Sequence, residues 1–212
     1  AHCRKDCKVN CSKLSAIDFI QCKGFKASPS CERIRSMVQD YIIIQVMKIA
    51  FVTLGCKLNY AETSTYEREL LKEGFEAVPW SKGADVFLVN TCTVTEHSDK
   101  KSRNIIRKLH RQCPDAKIFV TGCYAQLKKA EIEAIEGVTE VFGATEKSRI
   151  VPSILEKVKG IECCGKGLGN FFPAYSSGER TSSFLKVQDG CDYKCHYCTV
   201  PYARGESRNI PI

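Results

Sequence analysis

The sequence has no apolar run approaching the roughly 20 residues that a bilayer-spanning helix requires. Its longest apolar stretch, residues 41–54, is interrupted by Gln45 and Lys48 and reads as a strand. No secretory signal is visible either: the chain opens on polar and charged residues. These absences argue against a membrane protein, and a cytoplasmic location is expected. A strong excess of one charge is missing too. The net charge is +8, half of it in the first 46 residues, which permits nucleic-acid binding without showing it.

Cysteine, by contrast, is abundant, with 14 in 212 residues. In a short secreted chain such a count signals disulfides. Here the chain is long, and several cysteines are spaced as ligands, so metal or cluster binding is expected. Residues 1–46 hold five of them, Cys3, Cys7, Cys11, Cys22 and Cys31, without a clear period. The first three recur every four residues and would share one helix face. The expected reading is nevertheless an extension outside any domain, with the domain pattern starting at Met47.

From Met47 onward, strand and helix patterns alternate. Lys48–Leu54 is β-branched and apolar. Residues 60–73 predict a helix capped by Asn59, with Glu62 three residues later as in a capping box, and stopped by Gly74. Strands are expected over 75–78, 85–89, 117–121 and 138–142. Helices are expected over 98–112, 128–136 and 148–158, the last with Pro152 in its first turn. This alternation predicts an α/β fold, an open parallel sheet with helices on both faces, over residues 47–159. Residues 160–183 have linker composition. A new strand then begins at Phe184, and the chain stops at Ile212, too soon to complete a second domain. A C-terminal truncation is therefore expected.

Two groups of cysteines carry the chemistry. The first is Cys191-Asp-Tyr-Lys-Cys195-His-Tyr-Cys198, placed just after a strand. Three thiolates this close can bind three corners of a cubane cluster and leave the fourth iron open. A structural zinc site would want a fourth ligand, and His196, wedged between two cysteines, is a poor one. The second group is dispersed. Cys56 follows the first strand, Cys92 the third and Cys123 the fourth, so all three sit at the carboxyl ends of parallel strands, the rim where open α/β sheets bind ligands. A lone buried cysteine is ordinarily packing. Three at equivalent strand ends, with Gly55 and Gly122 before two of them, read as a second cluster site.

The first group resembles the signature of the radical-SAM superfamily. With the stretches TLGCKLNYAET, DVFLVNTCTVTEHSDKKSR, IFVTGCYAQ and FLKVQDGCDYKCHYCTVPYARGESR, the two groups together resemble the radical-SAM tRNA methylthiotransferases from Met47 to the end. Within that family, GCKLN and NTCTVT are most similar to the branch acting on threonylcarbamoyladenosine beside the anticodon. The resemblance implies two 4Fe-4S clusters, an auxiliary one on Cys56, Cys92 and Cys123 and a radical one on Cys191, Cys195 and Cys198. It implies S-adenosylmethionine as cosubstrate, with Tyr197 resembling the residue that lies against its adenine. The product would be a methylthio group on C2 of the adenine. The partners implied are the tRNA anticodon stem-loop and a reductant protein of flavodoxin or ferredoxin type. The family continues into a partial β/α barrel, of which residues 184–212 supply only the first strand and cluster loop, so this chain is expected to be inactive alone.

Several features stay open on the residues themselves. Lys100, Lys101, Arg103, Arg107, Lys108 and Arg111 form a basic stripe that is either a tRNA contact or a solvated helix face. Arg204 and Arg208 meet a cofactor or substrate carboxylate, or lie on a surface loop. Cys113 reads as structural, and Cys163 and Cys164 as lying outside the ligand sets. Methylthiotransfer to isopentenyladenosine, an iron–sulfur electron carrier and a zinc-stabilised RNA-binding protein are the competing readings.

Overall fold

The computed structural model describes residues 46–161, 171–177 and 181–209. The expectations placed on Cys3, Cys7, Cys11, Cys22, Cys31, Cys163 and Cys164 lie outside the described residues.

Five strands form one parallel sheet: β1 (Lys48–Thr53), β2 (Glu76–Ala77), β3 (Val86–Thr91), β4 (Lys117–Gly122) and β5 (Val138–Val141). Their spatial order is β2-β1-β3-β4-β5, and every pairing is parallel. Among the described residues, the helices are α1 (Lys57–Lys72), α2 (Glu96–Gln112), α3 (Cys123–Leu127), α4 (Lys129–Glu133), α5 (Ile150–Lys159) and α6 (Val200–Arg204). Successive strand residues point to opposite faces, and both faces are covered. On one, Ile49, Val86, Leu88 and Phe119 pack under Ala61, Tyr66 and Leu70 of α1 and Ile150, Ile154 and Leu155 of α5. On the other, Ala50, Phe87, Val89, Ile118 and Val120 pack under Ile106 and Leu109 of α2, Tyr124 of α3 and Ile132 of α4. This is the α/β architecture that the alternating pattern predicts.

Three boundaries differ from expectation for physical reasons. α1 starts at Lys57, so Asn59 lies inside the helix; the N-cap position falls to Cys56, which makes no side-chain cap bond. The Asn59–Glu62 spacing is therefore not a capping box. The helix expected over 128–136 is shorter, Lys129–Glu133, and a separate short helix, Cys123–Leu127, precedes it, the two parted at Lys128, whose backbone is non-helical with φ −134°. The strand expected from Phe184 makes a single antiparallel bridge, Tyr175 to Leu185. α2, in contrast, has a true cap: the Thr95 hydroxyl accepts from the Ser98 amide at 3.2 Å.

The segment 171–177 returns to α1. Phe172 stacks on Tyr66 with ring centroids 5.0 Å apart. The Arg68 guanidinium lies 3.8 Å from the Tyr175 ring centroid and donates to the Tyr175 carbonyl at 2.9 Å. The described residues from Val46 onward form one compact unit, so the loop carrying Cys191, Cys195 and Cys198 belongs to the same body as the sheet.

Candidate functional site

Order β2-β1-β3 means that the chain leaves β1 toward one edge of the sheet and returns to its other side at β3. The crevice above the carboxyl ends of β1 and β3 is thus the topological switch point, where open α/β sheets bind ligands. Cys56 follows β1 there and Cys92 follows β3; Cys123 opens α3 at the end of the adjacent β4. All three are free thiols, Cys56 exposed, Cys92 buried and Cys123 between. Backbone at this rim is closely packed. A Cβ on Gly55 would stand 2.7 Å from Cys92 Sγ, and one on Gly122 would collide with the Thr91 backbone; both glycines have positive φ, +96° and +105°.

Asn59 ties the rim together. Its Nδ2 donates to the carbonyls of Leu54 at 2.8 Å and Thr91 at 3.0 Å, joining the loops after β1 and β3. Its Oδ1 accepts from Arg204 Nη2 at 2.7 Å and, at 3.7 Å, from Cys56 Sγ. Asn90 is fully buried and donates to the Asn59 carbonyl at 3.1 Å and to Thr63 Oγ1 at 3.2 Å, while its own Oδ1 has no hydrogen-bond partner among the described residues.

Beside this rim lies a buried ion cluster that sequence reasoning missed. Glu62 of α1 and Asp189 are the acids; Lys147, from the turn before α5, Lys186 and Arg204 are the bases. All five are 6% exposed or less. Lys147 Nζ stands 2.7 Å from Glu62 and 3.1 Å from Asp189, and Lys186 Nζ 2.9 Å and 2.6 Å from the same two. Arg204 Nη1 lies 3.4 Å from Glu62 and 2.9 Å from Asp189. Burial pushes the Glu62 carboxyl up, but Lys147, Lys186 and Arg204 outweigh it and hold it below the ordinary range. Asp189 is held low in the same balance. For Lys186 burial wins, and its ammonium loses its proton more readily than usual despite both acids. Arg204 is thus not on a surface loop: it is buried against two protein carboxylates and committed to them. The one signal available in the sequence was the pair Asn59 and Glu62, polar residues three apart early in a helix, which also fit a cap.

The loop with the close-spaced cysteines follows directly. The Asp189 amide donates to the Arg208 carbonyl at 2.9 Å and the Cys191 amide to the Gly205 carbonyl at 3.1 Å, closing the loop at its base. The Cys198 amide donates to the Cys195 carbonyl at 3.1 Å. Cys195 is exposed; Cys191 and Cys198 are half-buried. Tyr197 is 91% exposed. α6 leads from this loop to Arg204 and packs on α3, which begins with Cys123. Burial pushes the Cys123 thiol up, and the Arg204 charge opposes that rise.

Among the described residues, no three His, Cys, Asp or Glu side chains gather closely enough to grip a single metal ion. Both cysteine sets are all-sulfur, a donor chemistry suited to soft iron–sulfur groups and unsuited to hard cations.

Comparison with known proteins decides the family. The family described as "Uncharacterized protein family UPF0004" matches residues 48–143. The threonylcarbamoyladenosine tRNA methylthiotransferase MtaB of Bacillus subtilis is 39% identical over 171 residues, 76% of this chain and 37% of that protein. The chain belongs to the tRNA methylthiotransferase family. A second relative of the same name, from Aquifex aeolicus, is 38% identical over 78% of this chain and 42% of its own length. A tRNA-2-methylthio-N(6)-dimethylallyladenosine synthase of Chloroherpeton thalassium is 26% identical over 82% of the chain and 41% of its own length. The chain therefore spans about two fifths of the methylthiotransferases it matches. Among the described residues, no helix is long and apolar enough to cross a membrane.

Proposed function

We propose that this chain carries the two iron–sulfur sites of a radical-SAM tRNA methylthiotransferase acting on threonylcarbamoyladenosine. The observation that carries the reading is three free thiols at the carboxyl ends of β1, β3 and β4, set around one switch-point crevice and joined through Asn59 and Arg204 to the segment bearing Cys191, Cys195 and Cys198. The fit to a cubane is chemical. Each set offers three thiolates and no carboxylate, a cubane spaces its ligands more widely than a lone ion does, and glycines at 55 and 122 keep Cβ atoms out of the crevice.

In this reading Cys56, Cys92 and Cys123 hold the auxiliary 4Fe-4S cluster, and Cys191, Cys195 and Cys198 hold the radical cluster. When bound, the radical cluster supplies the electron that cleaves S-adenosylmethionine, and the auxiliary cluster supplies or carries the sulfur. The chain's own residues hold and shield these groups. Asn59 fixes the loops after β1 and β3, while the closed base of the 191–198 loop presents Cys195 and Tyr197 outward, toward cosubstrate. Tyr197, 91% exposed, is the ring that would stack on an adenine. The tRNA anticodon stem-loop is the substrate and a flavodoxin- or ferredoxin-type protein the electron donor, which puts the protein in the cytoplasm. The branch rests on the greater identity to the threonylcarbamoyladenosine enzymes than to the dimethylallyladenosine synthase. Catalysis by these residues alone is not expected, since they span only part of the matched enzymes.

Anaerobic reconstitution with iron and sulfide tests the reading. The chain should take up two clusters, Cys56→Ala should lose one, Cys195→Ala the other, and the double variant both. S-adenosylmethionine should perturb the spectrum of the Cys56→Ala protein and leave that of Cys195→Ala unchanged. A colourless protein that binds zinc stoichiometrically would refute it in favour of a zinc-stabilised fold.

A further inference from the structure

We propose that Arg204 is a positioning residue of the strand-end triad, supplying the buried positive charge against which Cys56, Cys92 and Cys123 hold an anionic iron–sulfur group. The inference rests on the cluster reading above and adds a role for a residue that ligates nothing. It begins with an inventory of buried charge. Three cations, Lys147, Lys186 and Arg204, face two anions, Glu62 and Asp189. Arg208, 3.8 Å from Asp189 and less deeply buried, adds to the positive surplus. Buried charge persists where it is paired, and here one cation is left over.

Geometry identifies which one. Both lysine ammonium groups sit directly between the two carboxylates. Among the described residues, Arg204 is the one of the three cations whose side chain also donates a hydrogen bond outside the cluster. One nitrogen of its fork serves Asp189 and Glu62, and the other donates to Asn59 Oδ1, the oxygen that also accepts from Cys56. α6, which ends with Arg204, packs on α3, which begins with Cys123. Cys92 lies against Gly55, one residue before Cys56. The surplus charge is therefore directed at the crevice side of the ion cluster. Three thiolates and a cubane carry net negative charge, and reduction adds one more electron. A fixed buried cation beside the crevice favours the reduced state, and hydrogen bonding and net charge are known levers on such potentials.

The test uses the full chain with Cys191, Cys195 and Cys198 all replaced by Ala, so that only the strand-end cluster is loaded. Its midpoint potential is read by EPR-monitored redox titration. Arg204→Gln should move the midpoint to more negative values. Glu62→Gln, which removes an anion from the same ion cluster, should move it the other way. Arg204→Lys should stay near the parent, as should Arg149→Gln, whose side chain is 68% exposed. Equal midpoints in Arg204→Gln and Glu62→Gln overturn the proposal, and so does a shift of the same sign in both, the mark of general disruption. If Arg204→Gln fails to fold, the pair Arg204→Lys and Glu62→Gln decides by whether only the second moves, and moves upward. A parent protein that takes up no iron brings down the cluster reading itself; iron uptake with an unmoved midpoint removes only the role of Arg204.

Discussion

At the scale of single residues, the crevice is defined as much by what is missing as by its thiols. Gly122, at φ +105°, has no room for a Cβ against the Thr91 backbone. Gly122→Ala combines a strained backbone with that collision and should cost at least about 1–3 kcal/mol, read as a lowered urea midpoint with unchanged slope. Gly160 also has positive φ, +66°, but nothing lies within 4 Å of its missing Cβ, so Gly160→Ala carries the conformational cost alone and should lose less. The cysteines after the strands were legible in the sequence because a strand's end and a following Cys are local facts. The partners of Glu62 were not. Lys147 and Lys186 stand 85 and 124 residues away, and no local pattern encodes a pairing of that range.

At the scale of elements, the two longest helices among the described residues begin in opposite ways. α2 is opened by Thr95, with Glu96 and Asp99 in its first turn and His110 and Arg111 in its last, matching the helix dipole. Thr95→Ala should cost about 1 kcal/mol, as a lost N-cap does. α1 has no side-chain cap, and Asn59 serves instead as a bridge between two loops and Arg204. Asn59→Ala strips several buried groups of their partners, each worth about 1–3 kcal/mol. Its loss in a denaturant titration should be at least twice that of Thr95→Ala; an equal loss would return Asn59 to a capping role. The strands were readable because runs such as Ile49–Val52 and Val86–Val89 are continuous and apolar, as sheets covered on both faces require. The start of α1 was misread because the spacing of Asn59 and Glu62 satisfies a capping box, while their actual partners come from elsewhere in the chain. The basic stripe of α2 is partly spent within the protein: Arg103 donates to the Tyr124 hydroxyl at 2.7 Å, and Lys108 lies 5.1 Å from the Trp80 ring centroid.

At the scale of the whole molecule, the acid limb of stability follows from the ion cluster. The Glu62 carboxyl is held below its ordinary value in the folded state. Between the folded and unfolded values, the unfolded chain binds more protons, so stability is present at neutral pH and is lost as pH falls through the carboxylate range and below. Urea midpoints should hold from pH 7 to about pH 5 and drop as the pH falls further, and Glu62→Gln should flatten that drop while lowering stability at pH 7. An unchanged acid dependence in the variant would remove Glu62 from the account. The segment 171–177 adds a second tie: Phe172→Ala should cost about 3–5 kcal/mol, the toll of emptying a buried aromatic site, if its stacking on Tyr66 holds this stretch to α1.

The five buried charges also govern how the protein can move. Pulling the 186–204 stretch away from α1 would leave ammonium, guanidinium and carboxylate groups without counterions, and separating even one such pair is worth about 3–5 kcal/mol. A jaw hinged between the sheet and the cysteine loop carries at least that cost and is open only in a small minority of molecules. The same contacts set the distance between the two cysteine groups in advance.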